Sequence, residues 1–209
     1  MSEYNILVDC LPRTVELGGM EVGIETNFRT SIVFEMLMLD DSVSDAEKTV
    51  IAVDLFYGDL PEGVTTEEAV DKIIWFYTCG KHKKNGTGSN GRNSGKAVYS
   101  FQHDCGYIYA AFMSQYGIDL QDVEYMHWWK FRALFDSLDE DVMFMKIMKY
   151  RAVDLTKKMS KEQKEFYQKM KKLYALPLSE NEQERDDRIA QILMNGGDLS
   201  VLEEFGGTE

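Results

Sequence analysis

Four residues of this chain stand at spacings that could hold a metal ion: Cys79-x-x-His82 and His103-x-Cys105. Two such pairs would supply soft and borderline ligands for a tetrahedral zinc site, with a basic segment held between them. His-x-Cys is an uncommon step for such a site, and Cys79 and Cys105 also fall where the flanking pattern asks for small core residues at helix ends. The expectation is no metal and no cofactor. His127 lies within an aromatic run, where a hydrogen-bonded core histidine is the reading rather than a catalytic base. The glycines of 86–95 follow no strand and start no helix, so they do not make a phosphate loop. Gly-x-Ser-x-Gly and His-Glu-x-x-His are both absent from the sequence. An enzyme is not expected.

The totals turn attention from catalysis to binding. The 209 residues are 44% apolar and 12% aromatic, enough to pack a core. No window approaches the roughly 18 apolar residues of a membrane span, and the opening MSEYNILVDCLPR lacks the pattern of a signal peptide. Three cysteines, Cys10, Cys79 and Cys105, suit a reducing compartment. A cytoplasmic protein without a membrane partner is expected. Net charge is −13, with +5 over residues 81–96 and +7 over residues 146–172, leaving −25 on the rest. That balance opposes duplex binding, which draws its affinity from phosphate neutralisation. Such segregation suits charge-steered protein contacts.

The elements that would position these residues are mostly helical. Residues 13–26 read as a β-hairpin turning at Gly18-Gly19, with Leu17 opposite Met20 and Val15 opposite Val22. Asn5–Val8 is a candidate third strand. Phe28, Ile32, Met36 and Leu39 mark a helix near 28–40. Ser44 with Glu47 opens a second helix near 45–57, and Thr65 with Glu68 a third, running to Tyr77 and capped by Gly80. Residues 81–96 lack apolar side chains and read as a mobile loop; its basic residues are Lys81, Lys83, Lys84, Arg92 and Lys96. Ile108, Tyr109, Phe112 and Tyr116 form a stripe ending at Gly117. Asp119 is a candidate cap for a helix over 120–138. Ser137 or Asp139 starts another helix through Tyr150, and Ser160 with Gln163 starts one closed by Pro177. Residues 179–209 carry nine acids against two arginines and read as a loosely attached helical tail. The expected fold is mainly α: one helical domain over 1–178 with an N-terminal hairpin, followed by the acidic tail over 179–209.

The run Tyr125–Leu138 (YMHWWKFRALFDSL) concentrates the large side chains. On a helix, Trp128, Phe131, Phe135 and Leu138 form one buried face, with Leu134 beside them. Trp129 falls about 100° away, in line with Met126 and Ala133. Either this helix is central and covered all round, or Met126, Trp129, Ala133 and the adjacent Arg132 form part of a protein-binding surface.

Several segments together resemble the bacteriophage gene product fifteen family of phages and prophages of Gram-positive bacteria. They are LVDCLPRTVELGG (7–19), ETNFRTSIVFE (25–35), DKIIWFYTCGK (71–81), YIYAAFMSQYGIDLQDVEYMHWWKFRALFDSL (107–138) and KMKKLYALP (169–177). Members of that family lie among tail genes, near the gene for the tape-measure protein. The hairpin leading into Phe28-Arg29 also looks like the entry of tail assembly chaperones. The resemblance therefore implies a non-enzymatic tail assembly factor in the host cytoplasm, chaperone-like, with the tape-measure or tail-tube protein as partner. A structural virion component, such as a connector or tail-completion protein, is the first rival reading. A regulatory nucleic-acid binder is the second. A homo-oligomer remains open as a further partnership.

Overall fold

The computed structural model describes residues 4–40, 42–81, 98–156 and 158–176. Among them are one hairpin and seven helices: β1 (Thr14–Leu17), β2 (Met20–Gly23), α1 (Phe28–Met38), α2 (Asp45–Tyr57), α3 (Thr66–Tyr77), α4 (Cys105–Tyr116), α5 (Trp128–Asp136), α6 (Met143–Ala152) and α7 (Lys161–Leu173). The protein is mainly α with a small β part. The expected loop residues from 82 onward and the acidic tail lie outside the described residues. Those described fall into two compact units, one built from 4–81 and 125–132, the other from 98–124 and 133–176.

In the first unit the hairpin adopts the expected antiparallel register, Leu17 with Met20 and Val15 with Val22. Gly18 and Gly19 both take positive φ (58° and 75°), the backbone that a two-residue turn matched to strand twist requires. Val15 and Leu17 are buried, whereas Met20 opposite Leu17 is exposed and Val22 opposite Val15 is half-buried. Asn5–Val8 is a turn rather than a third strand. The Asn5 carbonyl accepts from the amides of Val8 and Asp9, and the Asn5 and Asp9 side chains close it further. Two polar side chains thus satisfy the backbone that a strand partner would have taken.

Asn27 caps α1 by accepting from the Arg29 amide. The buried face of α1 is Phe28, Ser31, Phe34, Glu35 and Met38, rotated about a quarter-turn from the expected stripe. Glu35 shares this face and accepts a hydrogen bond from the buried Tyr77 hydroxyl. Both α2 and α3 begin where their capping residues predict. Ser44 and Glu47 form a reciprocal capping box, and the Thr65 hydroxyl accepts from the Glu68 amide. The Glu68 carboxylate instead accepts from the Gly18 amide, fastening the hairpin turn to α3. Lys48 is buried and its ammonium donates to the Met38 carbonyl at 3.1 Å, satisfying an orphan acceptor at the C-terminus of α1.

Residues 125–132 join this unit by an isolated antiparallel bridge, Asn27 opposite His127. The Phe28 amide donates to the Met126 carbonyl and the Trp128 amide to the Thr26 carbonyl. This extended pairing is one reason the expected helix over 120–138 is shorter in the structure. The other is Asp119, whose carboxylate accepts from the Gln121 and Asp122 amides and closes a turn instead of capping α5.

In the second unit, α4 ends at Gly117 in the left-handed region, as expected. Tyr99, Phe101, Phe135 and Phe144 make an aromatic core with ring centroids 5.2–6.4 Å apart. α6 starts at Met143, later than the expected Ser137 or Asp139, because the Asp139 carbonyl and amide are used in a turn to Val142 and a bond to Gln115. α7 opens on the expected Ser160–Gln163 capping box. The deepest polar contact is the pair Asp104–Arg151, bidentate at 2.6 and 2.9 Å.

Candidate protein-binding surface

The residues that could do chemistry are placed singly. Cys79 is half-buried, Cys10 and Cys105 are exposed, and His82 lies outside the described residues. No group of three or more His, Cys, Asp or Glu side chains among the described residues could hold a metal ion. His127 is buried: its Nε2 faces the Pro12 carbonyl at 2.9 Å and its Nδ1 faces the Trp129 amide at 3.1 Å. A carbonyl only accepts and an amide only donates, so the ring is the neutral Nε2–H tautomer. Burial holds its pKa below the ordinary value, offset in part by the Pro12 bond. This is a structural histidine with no access to a substrate.

The aromatic run is also structural. The Trp128 indole donates to the Tyr77 carbonyl at 2.8 Å, and the Trp129 indole to the Phe76 carbonyl at 2.7 Å. Two successive carbonyls at the end of α3 thereby gain donors from neighbouring tryptophans, the Phe76 carbonyl accepting from the Cys79 amide as well. Trp129 is 5% exposed and boxed by the rings of Tyr4, Trp75, Phe76 and His127. Met126 is buried too, Arg132 is half-buried, and Ala133 is exposed in the part of α5 that belongs to the second unit. Met126 and Trp129 are therefore core rather than a groove: the isolated bridge and the indole bonds turn them inward. Lys81 is exposed, while Lys83, Lys84, Arg92 and Lys96 lie outside the described residues.

The surface that the sequence reading missed is on α1. Its inward face takes Phe28, Phe34 and Met38, yet its outward side carries Val33, 50% exposed, and Met36. Ile32 and Leu37 beside them are only half-buried. The neighbouring helix α2 exposes Val50 and Ile51. A helix that is apolar on both sides of its axis belongs under cover. Nothing among the described residues covers these side chains fully. The signal was present in the sequence: FRTSIVFEMLM has more apolar residues than one face can hold. The acids Asp40, Asp45, Glu47 and Asp54 stand exposed around it. Hydrogen bonds from Ser42 to Asp40, and from Ser44 to Glu47, hold both carboxyls below their ordinary pKa and keep them ionised. The arrangement is an apolar strip with a mainly acidic rim, to which α1 adds one cation, the half-buried Arg29, one turn before Val33. It can take an apolar segment that carries basic residues.

Comparison with known proteins gives one match. The family model described as Bacteriophage Gp15 protein covers residues 7–176. No curated protein and no solved structure matches.

Proposed function

From the membership of this chain in the bacteriophage Gp15 protein family, and the phage-related structural or assembly role that it carries, we propose that the protein is a tail assembly factor without enzymatic activity. It binds apolar segments of the tape-measure or tail-tube protein in the host cytoplasm, before assembly is complete. The observation that carries this reading is the outward strip Val33–Met36 on α1, flanked by Val50 and Ile51 on α2. Methionine and branched aliphatic side chains on a helix surface adapt to varied apolar partners. The net charge of −13 keeps such complexes soluble. Among the described residues no helix is long and apolar enough to cross a membrane.

Co-expression with the tape-measure protein tests the proposal. The chain is expected to hold that protein in the soluble fraction and to co-purify with it, and Val33→Asp with Met36→Asp is expected to abolish both effects. Equal solubility with and without the chain, for both tape-measure and tail-tube proteins, would sink the reading. Stoichiometric presence of the chain in finished particles would favour a structural component instead.

A further inference from the structure

The second unit carries an apolar stripe of the opposite charge character. α7 has no buried residue at all. Its half-buried side, with Tyr167, Lys171 and Tyr174, packs beside α6, where Tyr150 meets the rings of Phe166, Tyr167 and Tyr174. Phe166 (48% exposed), Met170 and Leu173 (63% exposed) then follow one another at i, i+4 and i+7 along the adjoining edge. That spacing is how an amphipathic helix presents anchors to a groove. Lys169 and Lys172 flank the stripe and make no ion pair among the described residues; Lys161 pairs with Glu165 at 3.9 Å, and Glu162 is tied to Ser160.

We propose that α7 of one copy docks on the α1–α2 face of a second copy, so that the chain associates head to tail. The lysine-flanked stripe Phe166–Met170–Leu173 would lie on Val33, Met36, Val50 and Ile51, whose rim is Asp40, Asp45, Glu47 and Asp54. Both surfaces are apolar strips of one or two helices, and their flanking charges are opposite in balance: four acids with Arg29 on one, Lys169 and Lys172 on the other. A chain that carries two such strips covers both by pairing with itself. The two surfaces differ, so the contact is heterologous, and each copy keeps one free end. α7 is 13 residues long, about 20 Å, which confines the contact to the small, transient class of interface. Association is therefore expected at micromolar concentrations and above, and charge steering makes it salt-sensitive. The inference shares the α1–α2 face with the proposed function, and in the absence of a partner it explains how that face is protected.

Sedimentation velocity on the full chain decides it. The sedimentation coefficient should rise with concentration, and rise less in high salt. Val33→Asp and Phe166→Asp should each lose the association while keeping the helical circular dichroism of the parent. Each variant retains one intact surface, so an equimolar mixture should form a dimer that grows no further. If Phe166→Asp does not fold, Lys169→Glu with Lys172→Glu takes its place. A chain that stays monomeric up to about 1 mM, well above the range of weak specific contacts, would overturn the inference. So would variants that associate unchanged, or variants that fail to complement each other. The tail-assembly reading would survive any of these, since it is tested by capture of a different protein.

Discussion

At the scale of single residues, polar atoms of the core are spent on closing backbone ends. Trp129 fills an aromatic box and donates to the Phe76 carbonyl, so its two contributions can be separated. Trp129→Phe keeps most of the packing and removes one hydrogen bond from a carbonyl that the Cys79 amide still reaches, at a cost of about 0.5–1.5 kcal/mol. Trp129→Ala also leaves a cavity, and about 3–5 kcal/mol is expected. Chemical denaturation of both variants checks the order. His127 gives a pH dependence. Its folded pKa is depressed by burial, so the unfolded chain binds a proton more readily than the folded one. Its contribution to stability is full above about pH 6.5, the unfolded value, and is lost as pH falls through that value toward the folded one. Protonation would also place a second N–H against the Trp129 amide. The melting temperature should drop between pH 7.5 and 5.5, and His127→Gln should flatten that part of the profile. A variant with an unchanged acid slope would place the titrating group elsewhere.

At the scale of elements, what local chemistry dictates could be read from the sequence. The turn at Gly18-Gly19, the boxes at Ser44 and Ser160, the cap at Thr65 and the stop at Gly117 all lie where their side chains predict, because each needs partners only a few residues away. What depends on distant partners could not be read. The buried face of α1 lies about a quarter-turn from the expected one, where Phe34 meets Phe56 and Tyr77 and Glu35 meets Tyr77, 42 positions away. The bridge at Asn27 and His127 shortened the aromatic helix from outside it. For the same reason the candidate site moved from Trp129 to Val33: the sequence marks the richest apolar run, and only packing shows which run is left uncovered. The Asp104–Arg151 pair was equally silent. Arg151 joins the start of α4 to the end of α6, and donates to the carbonyls of Val98 and Tyr174 as well. Removing one partner strands the other in a buried site, so Arg151→Met or Asp104→Asn should each cost about 3–5 kcal/mol. The double variant should cost less than the two summed, and strict additivity would show that the pair is not coupled.

At the scale of the whole molecule, the order of the chain matters more than its length. Among the described residues the first unit is left at residue 81 and resumed at 125, so residues 98–124 of the second unit are inserted into the first, and 125–132 in turn interrupt the second. The resumed segment is brief, residues 125–132, but it supplies Met126, His127, Trp128, Trp129 and Phe131, all buried. It also supplies the Met126 carbonyl for α1 and both indole donors for α3. The hairpin, α1, α2 and α3 do touch one another without it, through Gly18–Glu68 and Glu35–Tyr77, but their shared aromatic core is open where Trp128 stacks on Tyr77 and Phe131 on Phe28. Fragments of this size bury too little surface to tolerate such a gap. A chain ending at Lys81 is therefore expected to retain helix but to lose cooperative melting, despite containing every strand and three of the seven described helices. Adding the peptide 122–136 in trans should restore a sigmoidal melt, because the missing contacts are side-chain and backbone bonds that need no covalent link. A sharp transition from residues 1–81 alone would show that the insertion is an ornament on a self-sufficient unit.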